Sequence, residues 1–267
     1  MFKVSCIQLC SGKDIRKNLS VSKKLILKAI KQKSNLIVTP ENSSLFGLNK
    51  KELHKKATSM DKDIYLKGIS VLAKKYQKWI LTSVVIKEKN SIRNRSILIN
   101  PKGLVQTFYD KIHMFDVTLS KKEKHFESKT FTAGKSLKVA SLPWGKLGLT
   151  ICYDVRFPNM FRSLAQKGSL FISAPSAFTQ TTGRKHWHTL LKSRAIENFS
   201  YIFAPAQSGT HWNKRKTYGH SLIVSPDGKI LKELKKGIGV ITATINPKLS
   251  QNLRKIIPSL KKTKNEI

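Results

Sequence analysis

The sequence predicts an α/β protein with a mixed sheet or two packed sheets, built as one domain over residues 1–267. Three observations carry this expectation. Short runs rich in Ile, Val, Leu and Phe recur along the chain, bounded by turn residues. Amphipathic helical patterns separate several of them. Turn tetrapeptides join two further pairs as hairpins.

The elements follow in order. Residues 4–9, Val-Ser-Cys-Ile-Gln-Leu, open as a strand. A helix follows over 17–32, where Val21, Leu25 and Ala29 recur at i, i+4 and i+8. The apolar run 36–39 is the second strand. Tyr65, Ile69, Leu72, Ala73 and Tyr76 form one stripe of a helix over 60–76. Strands at 79–86 and 96–100 come next, and Asn100-Pro101-Lys102-Gly103 turns the latter into 105–109. The strand at 147–152 ends on Cys152. A helix over 158–167 starts just behind it, with Pro158 suited to a first turn. A strand at 170–174 precedes a helix over 184–198. Strands at 201–205, 220–224, 229–234 and 239–244 complete the chain, with Ser225-Pro226-Asp227-Gly228 as the second hairpin turn. No repeat, low-complexity block or linker divides it.

Composition narrows the class. A chain with 40% hydrophobic and 25% charged residues reads as globular. No run of about eighteen apolar residues marks a membrane span, and the first ten residues lack a signal-peptide pattern. Three cysteines, an odd and low count, fit a reducing cytoplasm. Cys6 and Cys10 are expected to fill the core as small hydrophobes. The net charge of +36 raises the question of nucleic acid. The lysines are spread along the whole chain, and no nucleic-acid-binding motif accompanies them. A solvated surface is expected, with no specific nucleic-acid partner and no membrane partner.

The chemistry begins at Ile151-Cys152-Tyr153-Asp154-Val155-Arg156-Phe157-Pro158. A strand that ends in Cys and turns into a helix presents a nucleophile and aims backbone N–H groups at its substrate. A thiol attacks only as thiolate, so it needs a base or a cation beside it. None of the seven histidines has the setting of a papain-type partner. Glu41 and Lys111 stand out instead, because each ends an apolar strand. A carboxylate can move the proton, and an ammonium can hold an oxyanion. A zinc site on His186 and His188 is disfavoured, since i, i+2 spacing puts them on different helix faces. Arg194 and Glu197 read as a structural pair at i, i+3.

Taken together, Thr-Pro-Glu41-Asn, Tyr-Asp-Lys111-Ile-His-Met-Phe-Asp and Ile-Cys152-Tyr-Asp-Val-Arg-Phe-Pro resemble the three motifs of the nitrilase (carbon–nitrogen hydrolase) superfamily, in order and at similar spacing. The resemblance implies a four-layer α-β-β-α sandwich, a homodimer or larger assembly, and no metal or organic cofactor. It implies Glu41 as base, Cys152 as nucleophile, and Lys111 with the Tyr153 N–H as oxyanion donors, ammonia leaving before water cleaves the thioester. Glu127 matches a second carboxylate near this triad. The segments around Ser176, His186-Trp187 and Gln207–His211 are similar to the Nit amidases. Among those they look more like the deaminated glutathione amidases than the omega-amidases. That carries Ser176 and His186 over as substrate-pocket residues and implies a small anionic amide as substrate. Arg156, Lys214 and Arg215 are candidates for its carboxylates. Arg184-Lys185 departs from the family's usual pair before His-Trp and leaves the substrate open. A fold that has lost its chemistry and only binds is the alternative of a different class.

Overall fold

The structure is a computed structural model that describes residues 1–121 and 123–261. The end of the expected domain, residues 262–267, lies outside the described residues. In chain order the first strands are β1 (Phe2–Gln8), β2 (Leu36–Val38), β3 (Trp79–Glu88), β4 (Ser91–Ile99) and β5 (Val105–Asp110). Then come β6 (Asp116–Thr118), β7 (Lys124–Phe126), β8 (Lys138–Leu142), β9 (Gly145–Leu149), β10 (Ser169–Ser173) and β11 (Tyr201–Ala204). The last are β12 (Ser208–Thr210), β13 (Lys216–Tyr218), β14 (Ser221–Val224), β15 (Ile230–Leu234) and β16 (Gly239–Ile245). The helices are α1 (Ile15–Lys31), α2 (Lys50–Lys56), α3 (Ile64–Tyr76), α4 (Pro158–Gln166), α5 (Gln180–Asn198) and α6 (Pro247–Ile256).

Two six-stranded mixed sheets form, in the orders β16-β1-β2-β3-β4-β5 and β15-β14-β11-β10-β9-β8. Period-two alternation gives each strand two faces. Val4, Cys6, Leu36, Val38, Leu81 and Leu98 of the first sheet pack toward Leu147, Leu149 and Phe203 of the second. Ile7, Ile37, Ile80 and Ile97 point the other way, onto Ile26 and Ala29 of α1 and Ile69 and Ala73 of α3. Phe161 and Leu164 of α4 and Trp187 and Leu191 of α5 cover the second sheet. The result is the expected four-layer α-β-β-α sandwich. Strands buried on both faces read as near-continuous apolar runs, which is why β2 is Leu-Ile-Val.

Caps set the helix limits. Asp14 accepts the N–H groups of Arg16 and Lys17, so α1 starts before the apolar stripe does. Thr179 accepts the Thr182 N–H and starts α5 one turn ahead of the expected 184. The sequence reading missed α2 and α6. Short α2 buries only Leu53 and is held by an Asn49–Glu52 capping box, while α6 is mostly polar, with Pro247 in its first turn. One expectation fails at β1. Cys6 is buried, but Cys10 is exposed, because the strand ends at Gln8 and the chain leaves the sheet. Among the described residues no helix is long and apolar enough to cross a membrane.

Candidate active site

Three strand ends from the two sheets converge. Glu41 follows β2, Lys111 follows β5, and Cys152 lies just beyond β9. The strand expected to run through Cys152 stops at Leu149. Cys152 itself takes φ +51° and opens a short 3-10 helix, Cys152–Arg156. This left-handed position is costly for a residue with a Cβ and persists where surrounding bonds fix it. Here the Cys152 N–H donates to Pro175 O at 2.9 Å. Asp154, fully buried, accepts the Ile151 N–H at 2.8 Å and the Tyr109 hydroxyl at 2.7 Å. It also accepts the His113 N–H at 3.1 Å. One carboxylate thus ties the Cys152 turn to the strand end that carries Lys111.

The Lys111 ammonium is buried between two carboxylates. Its Nζ lies 2.8 Å from Glu41 Oε1 and 2.7 Å from Glu127 Oε2. Glu127 also accepts the Phe115 N–H at 2.7 Å, which fixes its loop. Asn94 Nδ2 donates to Glu41 Oε1 at 2.8 Å and to Glu127 Oε1 at 3.3 Å. Nζ also lies 3.0 Å from Glu127 Oε1, so its three donors all meet carboxylate oxygens at rest, and one must turn from Glu127 to reach a substrate oxygen.

Charge states follow. Burial alone pushes the Glu41 carboxyl up, but the Lys111 charge and the hydrogen bonds from Lys111, Cys152 and Asn94 outweigh it and hold it below 4.5. Burial also works against the Lys111 ammonium, and the charges of Glu127 and Glu41 more than offset it, so Lys111 stays protonated. Burial, then the neighbouring Glu41 charge, raises the Cys152 thiol well above 9.0, even though Lys111 pulls the other way. The resting pair is therefore thiol and carboxylate, hydrogen-bonded to each other. Such a pair can transfer its proton as sulfur attacks a carbonyl.

A cavity of about 250 Å³ opens over Cys152, Glu41, Lys111, Glu127 and Tyr153. That is at the small end of ligand pockets. Phe46, Phe115, Phe131 and Phe178 supply apolar wall, and Lys124 and Arg215 add cations. Three expected binders lie elsewhere. Ser176 is buried and donates to Ala174 O at 2.9 Å. His186 is exposed on α5, with its Nδ1 3.2 Å from Arg156 Nη2. Arg156 spends its guanidinium on that contact and on the Tyr153 and Phe178 rings, 5.9 and 5.5 Å away. Arg215 is the candidate that reaches the cavity. The sequence reading missed Asn94, because Arg93 and Arg95 flank it and hide the start of β4.

His211 packs against Phe46 of the wall at 4.1 Å between ring centroids. Its Nδ1 lies 2.8 Å from Ser11 O, and Thr217 Oγ1 lies 2.8 Å from its Nε2. A carbonyl only accepts, so Nδ1 carries the proton and Nε2 accepts the hydroxyl. Burial pushes its pKa down from 6.5 to about 4. The unfolded chain then binds this proton first, so stability is full above pH 6.5 and is lost as pH falls toward 4. His211→Gln should remove on the order of 3 kcal/mol of that loss. Urea midpoints of both proteins between pH 7 and 4 check it; parallel curves would refute it.

A family profile described as carbon–nitrogen hydrolase matches residues 3–255. The chain belongs to the carbon–nitrogen hydrolase family. It is a hydrolytic amidase by class. A Synechocystis protein named deaminated glutathione amidase is 36% identical over 265 residues, covering 97% of each chain. The crystal structure of the Caenorhabditis elegans NitFhit protein superposes with a TM-score of 0.90 at 34% identity, over 96% of this chain and 63% of that one. The present chain thus spans less than two thirds of that protein. Saccharomyces cerevisiae Nit3, described as a member of branch 10 of the nitrilase superfamily, gives 0.87 at 29% identity over 96% of this chain and 94% of its own.

Proposed function

We propose that the chain hydrolyses a small anionic amide through a thioester on Cys152. The observation that carries this is the buried Glu41–Lys111–Glu127 cluster with Cys152 hydrogen-bonded into it. In this reading Glu41 takes the thiol proton as sulfur attacks the carbonyl carbon. Lys111 Nζ and the Tyr153 N–H hold the oxyanion. That N–H sits in the first turn of its short helix, where no intrahelical acceptor is available. Glu41 returns the proton to the departing nitrogen, then deprotonates the water that cleaves the thioester. Glu127 positions Lys111.

The substrate assignment is the 2-oxo analogue of glutathione, cleaved to 2-oxoglutarate and cysteinylglycine. The Synechocystis relative's name supports it, and so does the pocket's charge. Three cations (Lys111, Lys124 and Arg215) face two carboxylates there. Arg215 donates Nη2 to Ala177 O at 3.1 Å, and its buried Nε has no protein partner. We assign it the substrate carboxylate. This substrate also changes the expected leaving group. Its scissile nitrogen is the amine of cysteinylglycine, so ammonia is released only from the alternative substrates, the omega-amides 2-oxoglutaramate and 2-oxosuccinamate.

Product assays therefore separate the two readings. Deaminated glutathione is expected to be turned over faster than 2-oxoglutaramate, with 2-oxoglutarate followed in both cases and ammonia in the second. Equal low rates would sink the assignment. Arg215→Ala should raise KM for the anionic amide roughly tenfold to a hundredfold, the worth of one or two charge-assisted bonds. It should leave a neutral amide nearly unaffected, and equal losses on both would remove Arg215 from this role. A homodimer or larger assembly in the cytoplasm is part of the same proposal.

A further inference from the structure

Away from the cavity, α5 meets the edge of the second sheet in a cluster of metal-ligating groups. His188 comes from α5, His220 from the residue before β14, and Glu233 from β15. His188 Nε2 lies 3.0 Å from Glu233 Oε1, and His220 Nδ1 lies 2.6 Å from the same oxygen. One ligand atom from each falls within 4.8 Å of the others. We propose that these three side chains form a site for a divalent transition ion of the zinc class, distinct from the catalytic centre.

The donor chemistry selects the ion. Two imidazole nitrogens and one carboxylate suit zinc and its neighbours, whereas magnesium and calcium want oxygen alone. Metal–ligand bonds of about 2.0–2.2 Å need donors roughly 3.4 Å apart in a tetrahedron. Small side-chain rotations from the present spacings reach that. All three side chains are partly exposed, so an ion can enter and keep a water as fourth ligand.

The support for these ligands is built. His220 holds φ +56°, a position an ordinary side chain avoids, and both its backbone groups are used. Its N–H donates to Lys235 O at 3.1 Å, and its carbonyl accepts Trp187 Nε1 at 2.8 Å. Its ring stacks on Tyr218 at 4.0 Å and 20°. Tyr218 fits there because Gly183 of α5 has no side chain, since a Cβ would sit 2.4 Å from the Tyr218 ring. Ligands held this way lose little freedom on binding. In the sequence the nearest histidine to His188 is His186, on a different helix face, whereas the fold brings His188 to His220 and Glu233, 32 and 45 positions away. A bound ion would staple α5, whose first turn borders the catalytic cavity through Thr182, to the sheet edge.

Zinc titration of the full chain carrying Cys152→Ala, which removes the catalytic thiol, tests this by calorimetry. One ion per chain is expected. His188→Gln keeps a side-chain donor toward Glu233 but lacks the imidazole, so it should weaken binding tenfold or more. Glu233→Gln should do the same. Cys10→Ser, which removes the exposed thiol, should bind as its parent does. Zinc should raise the melting temperature of the parent and not that of His188→Gln. Failure of the parent to bind zinc, or equal affinity in the parent and both ligand variants, would overturn the site.

Discussion

Replacing Cys152 by alanine is expected to lower kcat by about 10⁴-fold or more, leaving only what the pocket contributes without its nucleophile. The protein should otherwise stay as it is. Cys152 sits at φ +51°, where alanine carries the same Cβ and so the same backbone cost. The Pro175 carbonyl still receives the backbone N–H, and the buried sulfur is small. Melting temperature should therefore move by only a few degrees, and the loss reads chemistry. Serine should fail nearly as badly. The site holds its nucleophile protonated, by burial and by the Glu41 charge, and relies on Glu41 to take the proton during attack. A hydroxyl is harder still to deprotonate there. Acid-quenched wild type incubated with substrate should carry the acyl group on Cys152, seen by mass spectrometry, and the alanine variant should carry none. Turnover above one part in about a hundred in that variant would end the thioester mechanism.

Much of this site was legible in sequence, and the reason is local. Glu41, Lys111 and Cys152 each sit within three residues of a strand end, where one chain direction and one burial pattern fix the geometry. The same holds for the sandwich, because β1, β2 and β3 are apolar runs that no other element can absorb. What was not legible depends on distant pairing. Arg95 looks like a surface charge in a strand, yet it is buried, with Nε 2.7 Å from Asp110 Oδ1. That pairing hid the first half of β4 and Asn94 with it. Arg215 was one of three basic candidates in the sequence, and what sets it apart from Arg156 and Lys214 is the β12–β13 hairpin that brings it to the cavity, a pairing its own neighbours do not specify. Ser176 and His186 show the converse. The motif was present, but Ser176 is buried and bonded to Ala174 O, and α5 buries Thr182, Gly183, Trp187 and Leu191, which leaves His186 on its outward face.

Lys111→Met should cost both activity and stability, and the pH dependence of the stability should reverse. The ammonium is 2% exposed between two carboxylates. Methionine fills the same space but leaves Glu41 and Glu127 buried, with Asn94 as a shared donor. Breaking a buried ion pair from one side costs about 3–5 kcal/mol, which for a chain of this size lowers the melting temperature on the order of 10 °C. In the wild type the Glu41 pKa lies below 4.5, so its stabilising contribution is present above that pH and is lost as pH falls through the folded value. In the variant, burial and the facing carboxylate push one of the pair upward. The folded chain then binds more protons than the unfolded one, and stability falls as pH rises through and above 4.5. The gap between the two proteins should widen from pH 4 to pH 7 in urea titrations. Activity should drop at least a thousandfold, because a protonated Glu41 cannot take the thiol proton and the oxyanion loses its cation. Adding Glu127→Gln to Lys111→Met removes one of the two facing charges. It should recover part of the stability and none of the activity, which separates the cation's structural pairing from its part in the chemistry. Equal stability of wild type and Lys111→Met at pH 7 would mean that the two carboxylates do not need this ammonium, and the cluster would lose its place at the centre of the mechanism.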